Sequence, residues 1–214
     1  MKIQYYIYFF HPEKEIELFN IQKLISENGG AIDIGCNLGL FSYAFSKQKK
    51  IDKIYSFEPN KSNLIDLYNY DCRNIKIFNY ALSSCSKIQD LIVPYFRHFE
   101  LDGFATLEKN IFLNKKFRKF KKIKIKTKKL DYFSFKRISF IKIDVEGHEI
   151  NVLNGAKKTF KKNKPNCLIE IKKSNLPKVK KFFKNIDIKY KCVPKKKFSF
   201  KFTKENYLFS TNLK

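Results

Sequence analysis

Carboxylates and an imidazole crowd one short segment in the second half of the chain. Asp144 ends an apolar run, and Glu146, His148 and Glu149 follow closely. Such groups can take a proton or hold a hydroxyl, so the segment predicts a proton-handling site. We expect Asp144 and Glu146 to orient a reacting group, and His148 to be the candidate base, because histidine as a residue type exchanges protons near neutral pH. Equal alternatives are a partly exposed turn histidine for His148 and, for Glu149, a helix-start residue favoured by the helix dipole.

A turn with two glycines lies earlier in the chain, after another apolar run. Asp33 is followed by Gly35, Cys36, Asn37 and Gly39. The glycines let the backbone turn tightly and approach a ligand, and the next helix directs its N-terminus at that ligand. A dinucleotide fingerprint would need glycine in place of Asn37, and the Gly-Lys-Ser/Thr of a P-loop does not follow. The preceding carboxylate favours a cationic, amino-acid-bearing ligand over a pyrophosphate, with an ordinary strand-to-helix turn as the alternative.

A third acidic position ends the next apolar run. Glu58 lies 25 residues after Asp33 and directly before Pro59. An acidic residue at the end of the second strand can accept hydrogen bonds from both ribose hydroxyls of a nucleoside. A surface glutamate before a proline is the alternative, but the two features together favour a nucleoside ligand.

The elements that must position these groups alternate between strand and helix. Apolar periodicity predicts helices over 15–27, 40–50, 62–71, 150–160 and 176–183, and strands over 31–34, 53–57, 75–78, 139–143, 167–171, 186–193 and 207–210. This alternation predicts an α/β fold with a mostly parallel sheet and helices on both of its faces. In such sheets ligands bind outside the carboxyl ends of the strands, where the acidic residues above are predicted to lie.

Residues 83–137 interrupt this alternation and are predicted to be largely irregular. One stretch within them, Lys122 to Lys128, alternates lysine with other residues and predicts a strand with one lysine face. The segment also holds Tyr95, Phe96, Arg97, His98 and Phe104, and we expect it to form a substrate wall. Aromatic faces suit sugar rings, and Arg97 suits a carboxylate or phosphate. Packing and a solvated edge strand protected by lysine form the alternative interpretation.

Length and cysteine content limit the possible classes of protein. With 214 residues, the chain is expected to form a single domain, with 1–14 as an N-terminal lead. No apolar run approaches the roughly 18 residues of a membrane-spanning helix. The five cysteines are odd in number and lack C-x-x-C spacing, which argues against a disulfide framework and a cysteine zinc site. We expect a cytoplasmic protein, and no spacing demands a metal.

The charge is distributed unevenly along the chain. Residues 1–110 carry 13 basic and 13 acidic side chains, whereas the second half carries 32 basic and 7 acidic ones, which accounts for the net charge of +25. AT-rich codon bias explains abundant lysine but not this asymmetry. A one-sided basic surface predicts an anionic neighbour, such as an anionic membrane surface at the inner face of the membrane or an acidic polysaccharide, with nucleic acid a weaker possibility.

Five blocks of the sequence together resemble the FkbM family of methyltransferases. They are Asp33-Ile-Gly-Cys-Asn-Leu-Gly39, Phe57-Glu-Pro59, Asn79-Tyr-Ala-Leu-Ser83, Leu130-Asp131 and Ile141-Lys-Ile-Asp-Val-Glu-Gly-His-Glu149. The resemblance implies a Rossmann-like class I methyltransferase fold, with a seven-stranded sheet that includes a last antiparallel strand. It also implies S-adenosylmethionine as the cofactor.

The same resemblance implies roles for individual residues. The segment from Asp33 to Gly39 would line the methionine end of the cofactor, and Glu58 would hold its ribose. The segment that includes Asn79, Ala81 and Leu82 would flank the adenine. The implied reaction is O-methylation of a hydroxyl of a sugar, glycan or lipid-linked saccharide. Methylation of RNA or DNA and a non-catalytic binding protein with the same fold are the alternatives.

Overall fold

The computed structural model describes residues 16–69, 72–110, 117, 119–203 and 205–211, so the predicted N-terminal lead lies outside the described residues. The helices are α1 (Ile16–Phe19), α2 (Ile21–Leu24), α3 (Leu40–Ser46), α4 (Lys61–Tyr68), α5 (Glu149–Asn154), α6 (Lys157–Asn163) and α7 (Leu176–Asn185). The strands are β1 (Gly29–Ile34), β2 (Ile51–Phe57), β3 (Ile75–Phe78), β4 (Ala81–Leu82), β5 (Lys87–Phe96), β6 (Phe99–Glu100), β7 (Lys119–Lys128), β8 (Ile138–Ile143), β9 (Asn166–Glu170), β10 (Lys191–Cys192) and β11 (Asn206–Ser210).

Seven of these strands form the main sheet. Their order is β3-β2-β1-β8-β9-β11-β10. The β3-β2, β2-β1, β1-β8 and β8-β9 pairs are parallel, whereas β11 runs antiparallel to both β9 and β10. The predicted α/β fold, with its mostly parallel sheet and late antiparallel strand, is confirmed.

Helices cover both faces of the main sheet because its strands are apolar on both sides. On one face, α5, α6 and α7 pack over Ile32 and Ile34 of β1. On the other face, Leu24 of α2 and Phe45 of α3 pack against Ala31. Side chains alternate between these faces along each strand, which decides where the polar residues of β1 and β8 point.

Several predicted elements are shorter or more interrupted than their apolar patterns indicate, including the helices predicted over 40–50 and 150–160, and two others have a clear local cause. The helix predicted over 15–27 is divided into α1 and α2 at Asn20, whose side-chain amide donates a 2.9 Å hydrogen bond to the Ile16 carbonyl. Asparagine competes in this way with regular helix hydrogen bonding. The strand predicted over 186–193 is reduced to β10, because Asp187 adopts a left-handed φ of 55° that breaks an extended chain.

The inserted segment is more regular than predicted. It contributes to a second, four-stranded sheet with the order β4-β7-β5-β6, in which β5 and β7 pair antiparallel over nine residue pairs. The predicted lysine strand is confirmed as part of β7, but it lies between β4 and β5 rather than at the edge. The strand β5 was not predicted from the sequence. Leu91, Ile92 and Val93 are all buried, so this part of the strand lacks the alternation of apolar and polar residues that marks a half-buried strand.

Within the described part of the chain, no helix combines the length and the apolar character needed to cross a membrane. The five cysteines are free thiols.

Candidate active site

A cavity of about 620 Å³, part of it open to solvent, lies at the carboxyl ends of β1, β2 and β8. The small sheet covers one side of it through Leu91 of β5 and the following Ala105 and Thr106. The predicted site residues that line this cavity are Gly35, Asn37, Glu58, Ala81, Leu82, Asp144, Glu146 and His148. The structure therefore brings together the ends of three strands that are far apart in the sequence.

Gly35 allows the ends of β1 and β8 to touch. Its φ is +76°, and a Cβ atom at this position would lie only 1.8 Å from the Asp144 carbonyl oxygen. The Asp144 amide in turn donates a 3.0 Å hydrogen bond to the Ile34 carbonyl. Only glycine combines this backbone angle with this close approach. The contact fixes the Asp144 segment against the glycine turn.

Glu58 is held at the end of β2 by main-chain groups. Its Oε2 accepts a 3.0 Å hydrogen bond from the Asn37 amide, and its Oε1 accepts a 2.8 Å hydrogen bond from the Asn60 amide. Only 6% of the residue is exposed, and burial raises the pKa of Glu58 to about 7. Each carboxylate oxygen keeps a further lone pair for a ligand hydroxyl.

Asp33 belongs to the same turn but points away from the cavity. It is the register partner of Lys142 on β8, and both side chains lie on the face covered by α3. Its Oδ2 accepts a 2.7 Å hydrogen bond from Ser42 Oγ, which also lies 2.7 Å from Ser56 Oγ. Burial raises the pKa of Asp33. The carboxylate thus anchors α3 beneath the turn.

Three other predicted cofactor residues also lie outside the cavity lining. Cys36 packs with Leu64 and Leu67, and burial raises the pKa of its thiol. Gly39 begins α3 with a φ of +80°. The Asn79 side-chain amide donates 2.9 Å hydrogen bonds to the Glu58 and Pro59 carbonyls. These residues shape the loops around the cavity rather than its surface.

Carboxylates gather at the ends of β8 and β9. Asp144, Glu146 and Glu170 each offer an oxygen within 4.8 Å of the others. Lys142 Nζ lies 2.9 Å from Asp144 Oδ2 and 4.4 Å from the centre of the Phe41 ring. Burial, followed by the neighbouring Asp144 charge, raises the pKa of Glu146 to about 7. A carboxylate with this pKa can accept a proton near neutral pH.

His148 is engaged by protein groups at both ring nitrogens. Its Nε2 lies 2.9 Å from Ser83 Oγ, and its Nδ1 lies 2.6 Å from Glu108 Oε1. The residue is 7% exposed. The ring therefore joins the main sheet to the inserted segment, and neither nitrogen is directed at the cavity without a protein partner.

Three further acidic residues of the site were missed by sequence reasoning. Asp102 lines the cavity and accepts a 3.0 Å hydrogen bond from the Asn60 side-chain amide. Glu108 holds His148, and Glu170 belongs to the carboxylate group described above. Glu170 ends β9, so the strand-end rule that selected Glu58 and Asp144 could have found it. No local pattern marks Asp102 or Glu108.

A second cleft adjoins the cavity and shares Thr106 and Glu146 with it. It encloses about 1520 Å³, again including open solvent. It is lined by aromatic side chains from the small-sheet region and by carboxylates at the carboxyl ends of β8 and β9 and at the start of β11. The two spaces meet at Glu146.

This strand order, with a glycine turn after β1 and a buried glutamate after β2, defines the class I methyltransferase fold. Residues 33–192 match the methyltransferase FkbM domain, and the chain belongs to this family.

Solved structures are similar in fold. A methyltransferase FkbM from Methylobacillus flagellatus KT is 15% identical with a TM-score of 0.57, and the match covers 86% of this chain but only 43% of that one. Precorrin-6y C5,15-methyltransferase from Geobacter metallireducens GS-15 is 11% identical with a TM-score of 0.51, over 91% and 86% of the two chains. SMU.1697c from Streptococcus mutans, in complex with SAH, is 12% identical with a TM-score of 0.50, over 91% and 94%. No curated protein matches the sequence.

Proposed function

We propose that this protein transfers a methyl group from S-adenosylmethionine to a hydroxyl of a sugar, glycan or lipid-linked saccharide. The observation that carries the proposal is the buried Glu58 carboxylate, which faces the same cavity as Asp144 and Glu146. One end of the cavity suits a ribose, and the other suits a positive centre beside a proton acceptor.

The residues of the cavity fit the proposed cofactor. Glu58 would accept hydrogen bonds from the ribose hydroxyls, as an acidic residue at this strand end can. Ala81, Leu82 and Leu91 provide an apolar surface for the adenine. The carboxylates of Asp144 and Glu146 suit a sulfonium cation. When bound, the cofactor supplies an electrophilic methyl group.

Glu146 is the proposed proton acceptor. It lines both the cavity and the adjoining cleft, and its pKa is raised to about 7. The acceptor oxygen would take the methyl group that the bound cofactor supplies, the cofactor's sulfur would keep the bonding pair, and Glu146 would accept the hydroxyl proton. His148 is the weaker choice because Ser83 and Glu108 occupy its nitrogens.

Calorimetric titration with S-adenosylmethionine tests the cofactor assignment. A hydrogen bond to a charged acceptor contributes about 1.5–3 kcal/mol, so Glu58→Ala should weaken binding at least about tenfold. Glu27→Ala is the matched control, because Glu27 is exposed and precedes β1 at the opposite end of the strand. Absence of binding by the wild type at millimolar cofactor would reject the proposal.

The lysine-rich surfaces support a second part of the proposal, an anionic membrane surface or acidic polysaccharide as a neighbour of a cytoplasmic protein. The exposed lysines lie on the outer faces of β7 and α7, at Lys122, Lys124, Lys126, Lys178, Lys180, Lys181 and Lys184. Sedimentation with anionic vesicles, reversed by salt and absent with neutral vesicles, is the expected result. Salt-dependent retention on RNA without vesicle binding would favour the nucleic-acid alternative.

A further inference from the structure

The cleft beside the methyl-transfer cavity has one aromatic wall. Phe96 and Phe104 are 54% and 49% exposed, and the Phe104 ring centre lies 5.8 Å from that of Phe117. All three rings line the cleft. Exposed large apolar side chains grouped in a concave surface are typical of ligand sites, and flat rings suit the apolar face of a pyranose.

The opposite wall carries negative charge. Of the described residues, Glu146, Glu170 and Glu205 line it together with the cation Lys172, and Glu108, which is paired with His148, also borders the cleft. Asp144, Glu149 and Glu205 all act electrostatically to raise the pKa of Glu146, whereas Lys172 acts to lower it. The carboxylates therefore lie close enough to influence one another. Carboxylate oxygens accept hydrogen bonds and cannot donate them when ionised, so this wall suits hydroxyl donors.

This negative wall is unexpected in a chain with a net charge of +25. The second half has only seven acidic residues, and three of them, Glu146, Glu170 and Glu205, line this cleft. The basic groups are instead spread over outer surfaces such as β7 and α7. Among the described residues, an anionic group entering the cleft would face four carboxylates, including Glu108 of the inserted segment, against one lysine.

We infer that the cleft binds an uncharged, hydroxyl-bearing ring and rejects carboxylated or phosphorylated acceptors. The ring stacks on Phe104, its hydroxyls donate hydrogen bonds to Glu170 and Glu205, and one hydroxyl reaches Glu146. The inference rests on the proposed function for the identity of the site, and it adds that the acceptor ring is neutral although the protein's exterior attracts anions.

The test uses the full-length protein with S-adenosylhomocysteine and matched pairs of probes. Calorimetry first measures binding of S-adenosylhomocysteine, the nucleoside used in this test. Saturation-transfer NMR then compares α-1,4-galactotriose with α-1,4-trigalacturonate, and maltotriose with its 6-phosphate, with and without the nucleoside. We expect a saturation-transfer signal from at least one neutral oligosaccharide. Its acidic counterpart should bind at least tenfold more weakly.

Variants assign the effect to the two walls. Phe104→Ala and Glu205→Gln should each weaken binding of the neutral probe about fivefold or more. Phe99→Ala should leave it within twofold, because Phe99 is 63% exposed on the same small sheet but lies outside the cleft lining. The double variant Glu170→Gln/Glu205→Gln should reduce the difference in binding affinity between the neutral and the acidic probes.

Two results would overturn the inference. One is binding of an acidic probe as tight as that of its neutral counterpart, and the other is failure of every neutral probe to bind while the nucleoside binds normally. Failure of nucleoside binding would instead overturn the proposed function. The arm without nucleoside still reports on the cleft in that case, so the two failures are distinguishable.

Discussion

The two sides of the site are built in different ways. At the ends of β1 and β2, the Glu58 carboxylate is held by two main-chain amides from its own and the neighbouring turn. At the ends of β8 and β9, no described residue donates a hydrogen bond to the Glu146 carboxylate, and only its carbonyl is held, by Thr106 Oγ1 at 2.8 Å. Both glutamates have a pKa of about 7. The proposed cofactor side is thus preformed, whereas the proposed acceptor side depends on the inserted segment.

The largest expected effect comes from Glu146→Gln. General-base catalysis contributes about 10²–10⁴-fold to rate, so turnover should fall within that range at saturating cofactor. The affinity for S-adenosylmethionine should fall far less than turnover, because Glu58 remains to hold the ribose and Asp144 remains to face the sulfonium. Single-turnover assays and calorimetry on the same preparation measure the two quantities. An equal loss of cofactor affinity and turnover would mean that Glu146 contributes to cofactor binding rather than to proton transfer.

His148→Gln sharpens the assignment of the base. Glutamine keeps polar groups near Ser83 and Glu108, so we expect a loss of turnover about tenfold or less, well below that of Glu146→Gln. A larger loss of turnover than in Glu146→Gln, measured in the same single-turnover assay, would transfer the base role to His148.

Gly35→Ala should damage the junction between the two sides. A left-handed φ alone costs a non-glycine residue about 1–3 kcal/mol, and the new methyl group would also meet the Asp144 carbonyl at 1.8 Å. Gly39→Ala is the matched control, since it has a similar φ of +80° but meets the Leu67 side chain, which can move. Urea unfolding should show a greater loss of stability for Gly35→Ala. Equal losses would mean that the contact between the β1 and β8 ends contributes nothing beyond backbone strain.

Cofactor affinity should rise with pH on the preformed side. Burial raises the pKa of Glu58 to about 7, so the carboxyl is mostly protonated at pH 6 and mostly ionised at pH 8. If the ionised form accepts the ribose hydroxyls, affinity should be about tenfold higher at pH 8. Calorimetry with Glu58→Gln provides the baseline, because the ligand's own groups titrate equally in both proteins. A wild-type profile parallel to that baseline would contradict the role of Glu58.

Thr106→Val should give the smallest loss of turnover, and it should leave the cofactor side of the site unchanged. It removes the hydrogen bond to the Glu146 carbonyl and the one from the Glu108 amide, at a cost of about 1 kcal/mol each. The control is Thr159→Val, which loses the one hydrogen bond from Thr159 Oγ1 to Asp131 Oδ1 outside the cavity lining and should be destabilised by about half as much. Turnover should fall several-fold only in Thr106→Val. Equal turnover in the two variants would show that Thr106 serves stability alone.

Strand-end residues on both sides of the site could be predicted from the sequence, whereas the contacts that the inserted segment makes with them could not. Asp144, Glu146 and Glu58 were predicted as site residues because apolar periodicity indicates where each strand ends. Asp33 shares that pattern, yet it precedes the last strand residue and so points to the α3 face. The partners of His148 lie 65 and 40 residues away in the chain, and no local rule predicts such contacts.

The separation of the two sheets has a consequence for how such a protein can diversify. Among the described residues, the small sheet shares no ladder with the main sheet, yet its Leu91 borders the cavity, and the neighbouring residues 102–108 border both the cavity and the cleft. Substitutions within 83–137 that spare Asp102, the partner of Asn60, can therefore remodel the proposed acceptor wall while the hydrogen bonds around Glu58 stay unchanged. Grafting this segment from a relative onto the same seven strands is the natural route to exchange acceptor preference by design.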